Sequence, residues 1–405
     1  MKVAILMPWI DVGGISQFTL TLSEYLHAHK YDVTVVTLNE PGTRWGSLAA
    51  GGVQAVHLPR RWYDGRVQHA MHLACYLTRQ QFDLIIVNIG IANWPGYHCV
   101  GFLPDSILAV AALRNDSPGV YQGAAAYGDA WNLIVAISPQ VQQAAATRFP
   151  GKQVRLIPNG VRRPTAAELA QRAVWSMPLR LLYVGRLVDE QKGIFQLPGI
   201  LRDCLAQELA VTLTVIGDGQ DRQELARRFA AAGVAERVEM VGSVSHADVY
   251  TAMQAHHVLL LPSYYEGDPN VLKEALVNGC VPVASRLPGI TDAVVRDGVD
   301  GLLAAPDDSR AFACQVAALA EPLRWRAFSQ AGIARAQADF SPEVMGERYD
   351  VLLRELAAGG APLAQSRRRG CWQRLARYGW RDYLPPGLLS GSRRLRVRWR
   401  RRCLA

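Results

Sequence analysis

The chain has 405 residues, of which 50% are hydrophobic and 20% charged, so it is long enough for two domains and its composition excludes wholesale disorder. Its net charge of +9 is unevenly distributed, because residues 366–405 include 13 arginines and one aspartate and have a charge of +12. The remaining residues have a charge of −3, which excludes a nucleic-acid-binding surface over the whole protein.

The cysteines and the apolar segments indicate the compartment. None of the seven cysteines is in a C-x-x-C spacing, which predicts reduced thiols and no metal site. The apolar start Val3–Met7 is too short for a signal peptide, and no run of ~18 apolar residues predicts a transmembrane helix. We therefore expect a cytoplasmic protein.

Strand-like apolar runs alternate with helical patterns along the chain, which predicts parallel sheets covered by helices. The alternation stops at a polar, proline-containing stretch near 161–178 and then starts again. The predicted strands are Val3–Met7, Val33–Leu38, Leu84–Asn88, Ile107–Leu113, Leu133–Ile137 and Val154–Ile157, followed by Leu179–Val184, Val211–Ile216, Val238–Val241, Val258–Leu261 and Val281–Ala284. The predicted helices include Gln17–His27, Pro139–Arg148, Asp221–Ala232 and Val271–Asn278.

The fold class predicted from this pattern is α/β, with two Rossmann-like, doubly wound domains that face a central cleft. We expect the first domain over 1–165, the second over 175–342, a C-terminal crossover helix over 343–357 and a basic tail over 366–405. Open α/β sheets bind ligands beyond the carboxyl ends of their strands, so the loops after the strands are the candidate site.

Glycines follow predicted strands at two such places. Gly13 and Gly14 precede a helix whose first N–H groups are open to an anion, although a plain tight turn explains them equally well. Gly217 and Asp218 form a turn after a later strand, which fits a nucleotide-binding loop or a structural turn. Neither pattern is G-x-G-x-x-G, so a dinucleotide-binding fold is not indicated.

Two cations follow the first strand of the second domain. Gly185 and Arg186 end this strand, and Lys192 follows six residues later. Fixed cations at one strand end suit a diphosphate and can stabilise the charge that develops when it leaves. The alternative interpretation is a solvated surface of arginine and glutamate.

Residues 263–276 are the most informative segment. A glutamate precedes a predicted helix and a second lies within it, so both carboxylates can accept hydrogen bonds from sugar hydroxyls. Asp268 is a plausible N-cap with Pro269 at the first helical position, and the first N–H groups of the helix point at a phosphate. The two glutamates are Glu266 and Glu274, and the residues between them include Gly267, Asn270 and Val271.

These motifs together resemble family 4 of the retaining glycosyltransferases with the GT-B fold. Gly185-Arg186-Leu187 with the later Lys192-Gly193 is similar to one family motif, and Glu266 and Glu274 are similar to its E-x7-E pair. Further similar segments follow in the family's order, so that the resemblance covers about residues 1–355; they are Ile134–Ser138, Leu156–Val161 and Gly298–Leu303.

The resemblance implies a role for each matching position. It implies that the first domain takes the acceptor and the second the nucleotide sugar, with UDP or GDP as the nucleotide and neither metal nor cofactor. Arg186 and Lys192 would hold the diphosphate, Glu274 the ribose and Glu266 the sugar hydroxyls, and the catalytic set would be Arg186, Lys192 and Glu266. The remaining donor-binding candidates are Gly13, Gly14, Gly185, Gly217, Asp218, Gly267, Asp268, Pro269, Asn270 and Val271.

The chain departs from the family's pattern on the acceptor side. Relatives often have histidines where this chain has Asn88 and, by our alignment, Arg114, which is followed by Asn115. Arginine cannot act as a base at neutral pH, but it can bind an anionic acceptor or the developing phosphate charge. Asp268 also stands where relatives often have an apolar residue, which suggests an unusual donor sugar.

We therefore expect a hexosyltransferase that acts on a saccharide or lipid-linked acceptor in envelope, exopolysaccharide or lipopolysaccharide synthesis. A noncatalytic GT-B scaffold and a GT-B sugar-nucleotide epimerase are the alternatives. Arginines and aromatic residues alternate in the tail, which favours contact with the anionic inner face of the cytoplasmic membrane. A solvated, disordered tail and a tail that binds nucleic acid or another partner remain alternatives.

Overall fold

The computed structural model describes residues 1–11, 13–62, 64–89, 94–359 and 367, which form two compact units. Of the described residues, the N-terminal unit comprises those within Met1–Ile137 and Val141–Ile157, together with Gly346–Gly359 and Arg367. The C-terminal unit comprises Ser138–Gln140 and Pro158–Met345. Each unit is built on its own parallel sheet, as the sequence predicts.

The sheet of the N-terminal unit has seven strands within the described residues, in the order β3-β2-β1-β4-β5-β6-β7. Every pair is parallel, with Ile5 of β1 in register with Ile86 of β4. The strands are β1 (Lys2–Met7), β2 (Asp32–Thr37), β3 (Gln54–His57), β4 (Leu84–Ile89), β5 (Leu108–Leu113), β6 (Leu133–Ala136) and β7 (Val154–Leu156).

The sheet of the C-terminal unit has six parallel strands within the described residues, in the order β10-β9-β8-β11-β12-β13. In both sheets the first strand lies inside the sheet. The next strands extend the sheet to one side and the later strands extend it to the other, which is the doubly wound arrangement. The strands are β8 (Leu179–Val184), β9 (Val211–Ile216), β10 (Val238–Gly242), β11 (Val258–Leu261), β12 (Val281–Ser285) and β13 (Leu302–Ala304).

Helices connect the strands and cover both sheets. Strands β4, β6 and β11 are buried at every residue, because a sheet covered on both faces needs apolar side chains on both. The helices are α1 (Gly14–Ala28), α2 (Trp45–Ala50), α3 (Arg66–Arg79), α4 (Pro95–His98), α5 (Pro118–Ala125), α6 (Pro139–Arg148), α7 (Ala166–Ala170), α8 (Asp189–Lys192), α9 (Leu197–Ala206), α10 (Arg222–Ala231), α11 (His246–Ala255), α12 (Asn270–Asn278), α13 (Thr291–Val294), α14 (Ser309–Ala317), α15 (Pro322–Asp339) and α16 (Pro342–Ala357).

The structure places the end of the first stretch of the N-terminal unit at Ile157 rather than at 165. The reason is local pairing, because the Val161 N–H donates to the Phe340 carbonyl oxygen at 2.8 Å and so joins the following segment to the C-terminal unit. The expected C-terminal helix is α16, and its residues from Gly346 group with the N-terminal unit.

The predicted basic tail lies outside the described residues except for Arg367, which is fully buried in the N-terminal unit. Over the part of the chain that the structure describes, no helix combines the length and the apolar character that spanning a membrane requires.

Candidate functional site

The loops at one point in each sheet are the places where an open α/β fold binds ligands. The strand order reverses between β1 and β4 in the N-terminal unit and between β8 and β11 in the C-terminal unit. A crevice forms beyond the carboxyl ends of the strands at such a point. Of the predicted residues, Arg186 and Lys192 follow β8, and Glu266 follows β11. The topology therefore places these predicted donor residues at the switch point of their sheet.

Lys192 and Glu266 are in direct contact. The Lys192 Nζ lies 2.6 Å from the Glu266 Oε1, and the two side chains are 14% and 7% exposed. The Ser263 hydroxyl also donates to the Glu266 Oε1, at 2.7 Å. At this distance a largely buried ammonium and carboxylate form a charge-assisted hydrogen bond. The pair therefore presents a preformed cation and a sugar-hydroxyl acceptor side by side.

Arg186 is held by contacts within the segment that starts at β8. Its Nη2 donates to the Gln191 Oε1 at 2.7 Å, and its carbonyl oxygen accepts from the Tyr183 hydroxyl at 3.0 Å. Burial raises the pKa of the Tyr183 hydroxyl, and the nearby charge of Glu266 raises it further. The hydroxyl therefore remains a donor at neutral pH. The loop thus fixes the backbone of Arg186, whose guanidinium suits a diphosphate.

Glu274 lies in α12 and is 9% exposed. Its Oε1 is 3.0 Å from the Nε2 of His246, the first residue of α11. His246 could not be identified from the sequence, because it is 28 residues from Glu274 and only the packing of two helices brings them together. His246 holds one oxygen of the carboxylate that we assign to the ribose.

The two glutamates are expected to differ in what they bind. Glu274→Ala should weaken the binding of free nucleotide diphosphate, because the ribose loses its acceptor. Glu266→Ala should spare free nucleotide, since Lys192 then has no competing carboxylate, and should weaken the nucleotide sugar instead. Calorimetric titration of both variants with UDP, GDP and their sugars measures this difference. Each lost contact should weaken the binding free energy by about 1.5–3 kcal/mol. The reverse pattern would contradict the division of roles.

The expected N-cap role of Asp268 is wrong. Helix α12 begins at Asn270 after Pro269, and Asp268 does not cap it. The Asp268 carboxylate instead contacts the Nζ of Lys273 at 2.5 Å and accepts from the Asn159 N–H at 2.9 Å. Lys273 is fully buried, so its charge requires a buried counter-charge more than the helix requires a cap. The carboxylate of Asp268 is therefore bound to Lys273 and Asn159. The predicted contact with the donor sugar can then be made only by the backbone of Asp268.

The same network fixes the start of α12. The Lys273 Nζ also donates to the Asn159 carbonyl oxygen at 3.0 Å, and the Asn159 Nδ2 donates to the Asn270 Oδ1 at 3.2 Å. Gly267 precedes this tie and Val271 lies in the first turn of the helix. The predicted sugar-binding loop is thus held at a buried ion pair.

The glycines after β8 and β9 are required by a close approach of two loops. Gly217 has a φ of +138°, and a Cβ there would lie 1.9 Å from the Gly185 carbonyl oxygen. Gly185 N–H donates to Ile216 at 3.0 Å, and the Asp218 carboxylate accepts from its neighbour Gly219 at 2.8 Å. A structural turn is therefore sufficient to explain Gly217, and nucleotide contact by Asp218 remains a prediction.

The start of α1 is open, as expected for a loop that approaches a ligand. Gly13 precedes the helix with a φ of 152°, no side chain caps the helix, and Gly14 is its first residue. The first N–H groups of a helix have no partner within it, so they are available to an anion. The geometry is compatible with the predicted role of both glycines.

The structure brings Asn88 and Arg114 together in the N-terminal unit. The Arg114 Nε donates to the Asn88 Oδ1 at 2.7 Å, and both residues are buried. The Arg114 guanidinium also lies 3.4 Å from the centroid of the Phe18 ring and donates to the Tyr349 hydroxyl at 3.3 Å. Neighbouring Asn115 accepts from the Ser117 hydroxyl at 2.7 Å. Arg114 is therefore anchored by its own unit at the carboxyl end of β5.

Two family models match the chain, one over each half. The model described as Glycosyltransferase Family 4 matches residues 12–163, and the model described as Glycosyl transferases group 1 matches residues 178–321. Each matched range contains some of the motifs that resemble the family.

Similar proteins agree with these matches. The chain is 26% identical to the phosphatidyl-myo-inositol mannosyltransferase of Mycobacterium leprae over 79% of this chain and 87% of that protein. It is 29% identical to a Mycobacterium tuberculosis glycogen synthase, but the match spans only 45% of that relative and 46% of this chain. Anabaena HepE, solved with UDP and glucose, has the same fold, with a TM-score of 0.70 at 18% identity over 88% of this chain and all of that one. The chain belongs to glycosyltransferase family 4 and has the GT-B fold.

Proposed function

We propose that this glycosyltransferase moves a sugar, with retention of anomeric configuration, from UDP or GDP to a saccharide or lipid-linked acceptor in the synthesis of a bacterial envelope polysaccharide or lipopolysaccharide. One observation carries the proposal, namely the contact between Lys192 and Glu266 at the switch point of the C-terminal unit, where Arg186 also follows β8. It joins groups suited to a diphosphate with a group suited to a sugar hydroxyl.

The chemistry assigned to these residues is electrostatic. When the glycosidic bond to phosphate breaks, negative charge grows on the leaving nucleotide diphosphate. Arg186 and Lys192 stabilise that charge, and they do so without reorganising because the loop already holds them. The Glu266 carboxylate orients the sugar through its hydroxyls. With two cations in place, the transfer is expected to proceed without a divalent metal or other cofactor.

Retention follows from attack on the face that the phosphate leaves. In this mechanism the departing phosphate oxygen takes the proton of the acceptor hydroxyl, so no side chain need act as a base. An arginine at position 114 is compatible with this route, since a guanidinium does not accept protons. Arg114, tied to Asn88, then contributes positive charge near the acceptor rather than proton transfer.

The acceptor class is inferred from the relatives. The Mycobacterium leprae relative is named for a phosphatidyl-inositol acceptor, and the Mycobacterium tuberculosis relative for a polysaccharide product. A phospholipid acceptor carries a phosphate that suits the positive charge of Arg114, whereas a neutral polysaccharide does not require that charge.

A donor screen tests the proposal directly. The purified chain is incubated with a panel of UDP and GDP sugars, with and without EDTA, and nucleotide release is measured. We expect slow hydrolysis of one donor that EDTA leaves unchanged, and NMR of the released sugar should show the donor's own anomeric configuration first. Absence of turnover with tight donor binding would instead indicate a scaffold, and interconversion of the sugar nucleotide an epimerase.

We further propose that the basic tail attaches the enzyme to the anionic inner face of the cytoplasmic membrane. Its charge of +12 supports this, because each arginine near such a surface contributes about 1 kcal/mol. Replacing the seven arginines of 393–402 with glutamine should abolish co-sedimentation with anionic liposomes at low salt, whereas replacing them with lysine should preserve it. Equal binding by the glutamine variant would contradict the proposal.

A further inference from the structure

Arg367 is fully buried in the N-terminal unit, although it belongs to the most basic part of the sequence. Its main-chain N–H donates to the Asp105 Oδ1 at 2.9 Å. Its guanidinium donates to four oxygen atoms. The Ala130 carbonyl oxygen accepts from both Nε, at 3.1 Å, and Nη2, at 3.0 Å, and Nη2 also donates to the Asn132 Oδ1 at 2.8 Å. Nη1 donates to the carbonyl oxygens of Pro104, at 3.0 Å, and Ile107, at 2.5 Å.

These contacts use every hydrogen-bond donor of the side chain. A guanidinium has five N–H bonds, and each of the five has an oxygen acceptor here. A buried cation is costly unless all of its donors are satisfied, so a complete set indicates a site shaped for this group. Lysine has three donors on one nitrogen and cannot reach the same set of acceptors.

The acceptors lie at the amino ends of two neighbouring strands. Ile107 immediately precedes β5 and Asn132 immediately precedes β6, and the Asn132 Oδ1 also accepts from the Ala109 N–H at 2.8 Å. Asn88 and Arg114 lie at the opposite, carboxyl ends of β4 and β5. The side chain of Arg367 is thus bound on the edge of the sheet that is remote from the acceptor-side candidates.

We propose that Pro104, Asp105, Ile107, Ala130 and Asn132 form an arginine socket whose occupant is the C-terminal segment of this same chain. The bond from the Arg367 main chain to Asp105 fixes the segment as well as the side chain, so the socket selects one register in an arginine-rich sequence. The 38 residues that follow Arg367 are thereby tethered to the amino edge of the N-terminal sheet.

The tether has a functional consequence that rests on the proposed function. The charge of the tail acts on the unit to which it is fastened, and the socket fastens it to the N-terminal, acceptor-side unit. Attraction of the tail to an anionic membrane would then hold the N-terminal unit near the surface.

The full chain with Arg367→Lys tests the socket, with Arg368→Lys as the matched control. Both changes preserve the net charge, so tail electrostatics are constant. We expect Arg367→Lys to lower the unfolding temperature by about 5 °C or more and to accelerate amide hydrogen exchange in 104–109 and 130–134, because buried oxygens lose their donors. The control should behave as the unchanged chain. Identical unfolding and exchange in the two variants would overturn the proposal.

A measurement on the unchanged chain decides the matter even where Arg367→Lys does not fold. Brief treatment with phenylglyoxal modifies accessible arginines, and mass spectrometry locates them. Arg367 should react at least about tenfold more slowly in the native chain than in urea, because its guanidinium is enclosed. An equal rate in both states would show that the socket is empty. Neither readout depends on sugar transfer, so the socket and the proposed function fail separately.

Discussion

Replacing Lys192 with alanine is expected to lower turnover by about 10²–10³-fold, the usual cost of removing one fixed electrostatic contact from a transition state. Donor affinity should fall as well, by about 1.5–3 kcal/mol, because a charge-assisted hydrogen bond to the diphosphate is lost. The buried position of the ammonium, in contact with Glu266, makes the effect larger than that of an exposed lysine.

Controls separate this loss from a general effect of removing charge. Arg202→Ala removes a cation from the same unit, but its side chain is 61% exposed, and donor binding should be unchanged. Lys192→Arg retains the charge and should recover part of the affinity. Donor binding is measured by calorimetry and turnover by nucleotide release, and wild-type values for Lys192→Ala in both would show that the assignment is wrong.

The alanine variant also leaves the Glu266 carboxylate buried without its cation, which costs stability. The double variant Lys192→Ala with Glu266→Gln removes the unpaired charge and should regain much of the unfolding temperature while remaining inactive. Recovered stability without recovered turnover would show that the loss of activity arises from the missing site residues rather than from unfolding.

Most strands could be predicted from the sequence because a parallel sheet covered on both faces consists of continuous apolar runs. Strands β1, β4 and β11 are such runs and lie where they were expected. The prediction missed β3, whose residues are half-exposed and mixed in character, and β13, which has only three residues. Neither has a run long enough to be distinguished from a loop.

The site was predictable only as far as the ends of strands position its residues. Arg186, Lys192 and Glu266 could be assigned to strand ends, since the carboxyl ends of parallel strands meet at one edge. The contacts that fix them are different in kind. Asp268 could act as an N-cap or as a counter-charge, and the choice depends on Lys273 and on Asn159, which is 109 residues away. Sequence spacing does not encode such a partner.

The buried pair formed by Asp268 and Lys273 is the second feature whose loss should have a large effect. Lys273→Met is expected to lower the free energy of unfolding by about 3–5 kcal/mol, because a carboxylate with a 3% exposed side chain loses its cation. Urea unfolding, followed by the fluorescence of buried Trp325 in the same unit, measures the change.

A double-mutant cycle isolates the pair. In the variant with Asp268→Leu and Lys273→Met neither charge of the pair remains, so the loss should be smaller than the sum of the two single losses by at least about 2 kcal/mol. Some loss of unfolding free energy should remain in the double variant, because the N–H and carbonyl groups of Asn159 lose their partners. Each such loss costs about 1–3 kcal/mol. The exposed pair of Glu224 and Arg228 is the control, and breaking it should cost less than about 1 kcal/mol.

The same cycle tests whether the pair positions the donor loop. The double variant folds without the tie between the loop and Asn159, while Arg186, Lys192 and Glu266 are unchanged. If the pair only stabilises the fold, the folded double variant binds the nucleotide sugar as tightly as the unchanged chain. We expect instead a loss of about tenfold for the nucleotide sugar, roughly 1.4 kcal/mol, and none for free nucleotide diphosphate, because the backbone of Gly267–Asn270 is assigned to the sugar and the cations to the phosphates. Equal losses for both ligands would contradict this positioning role.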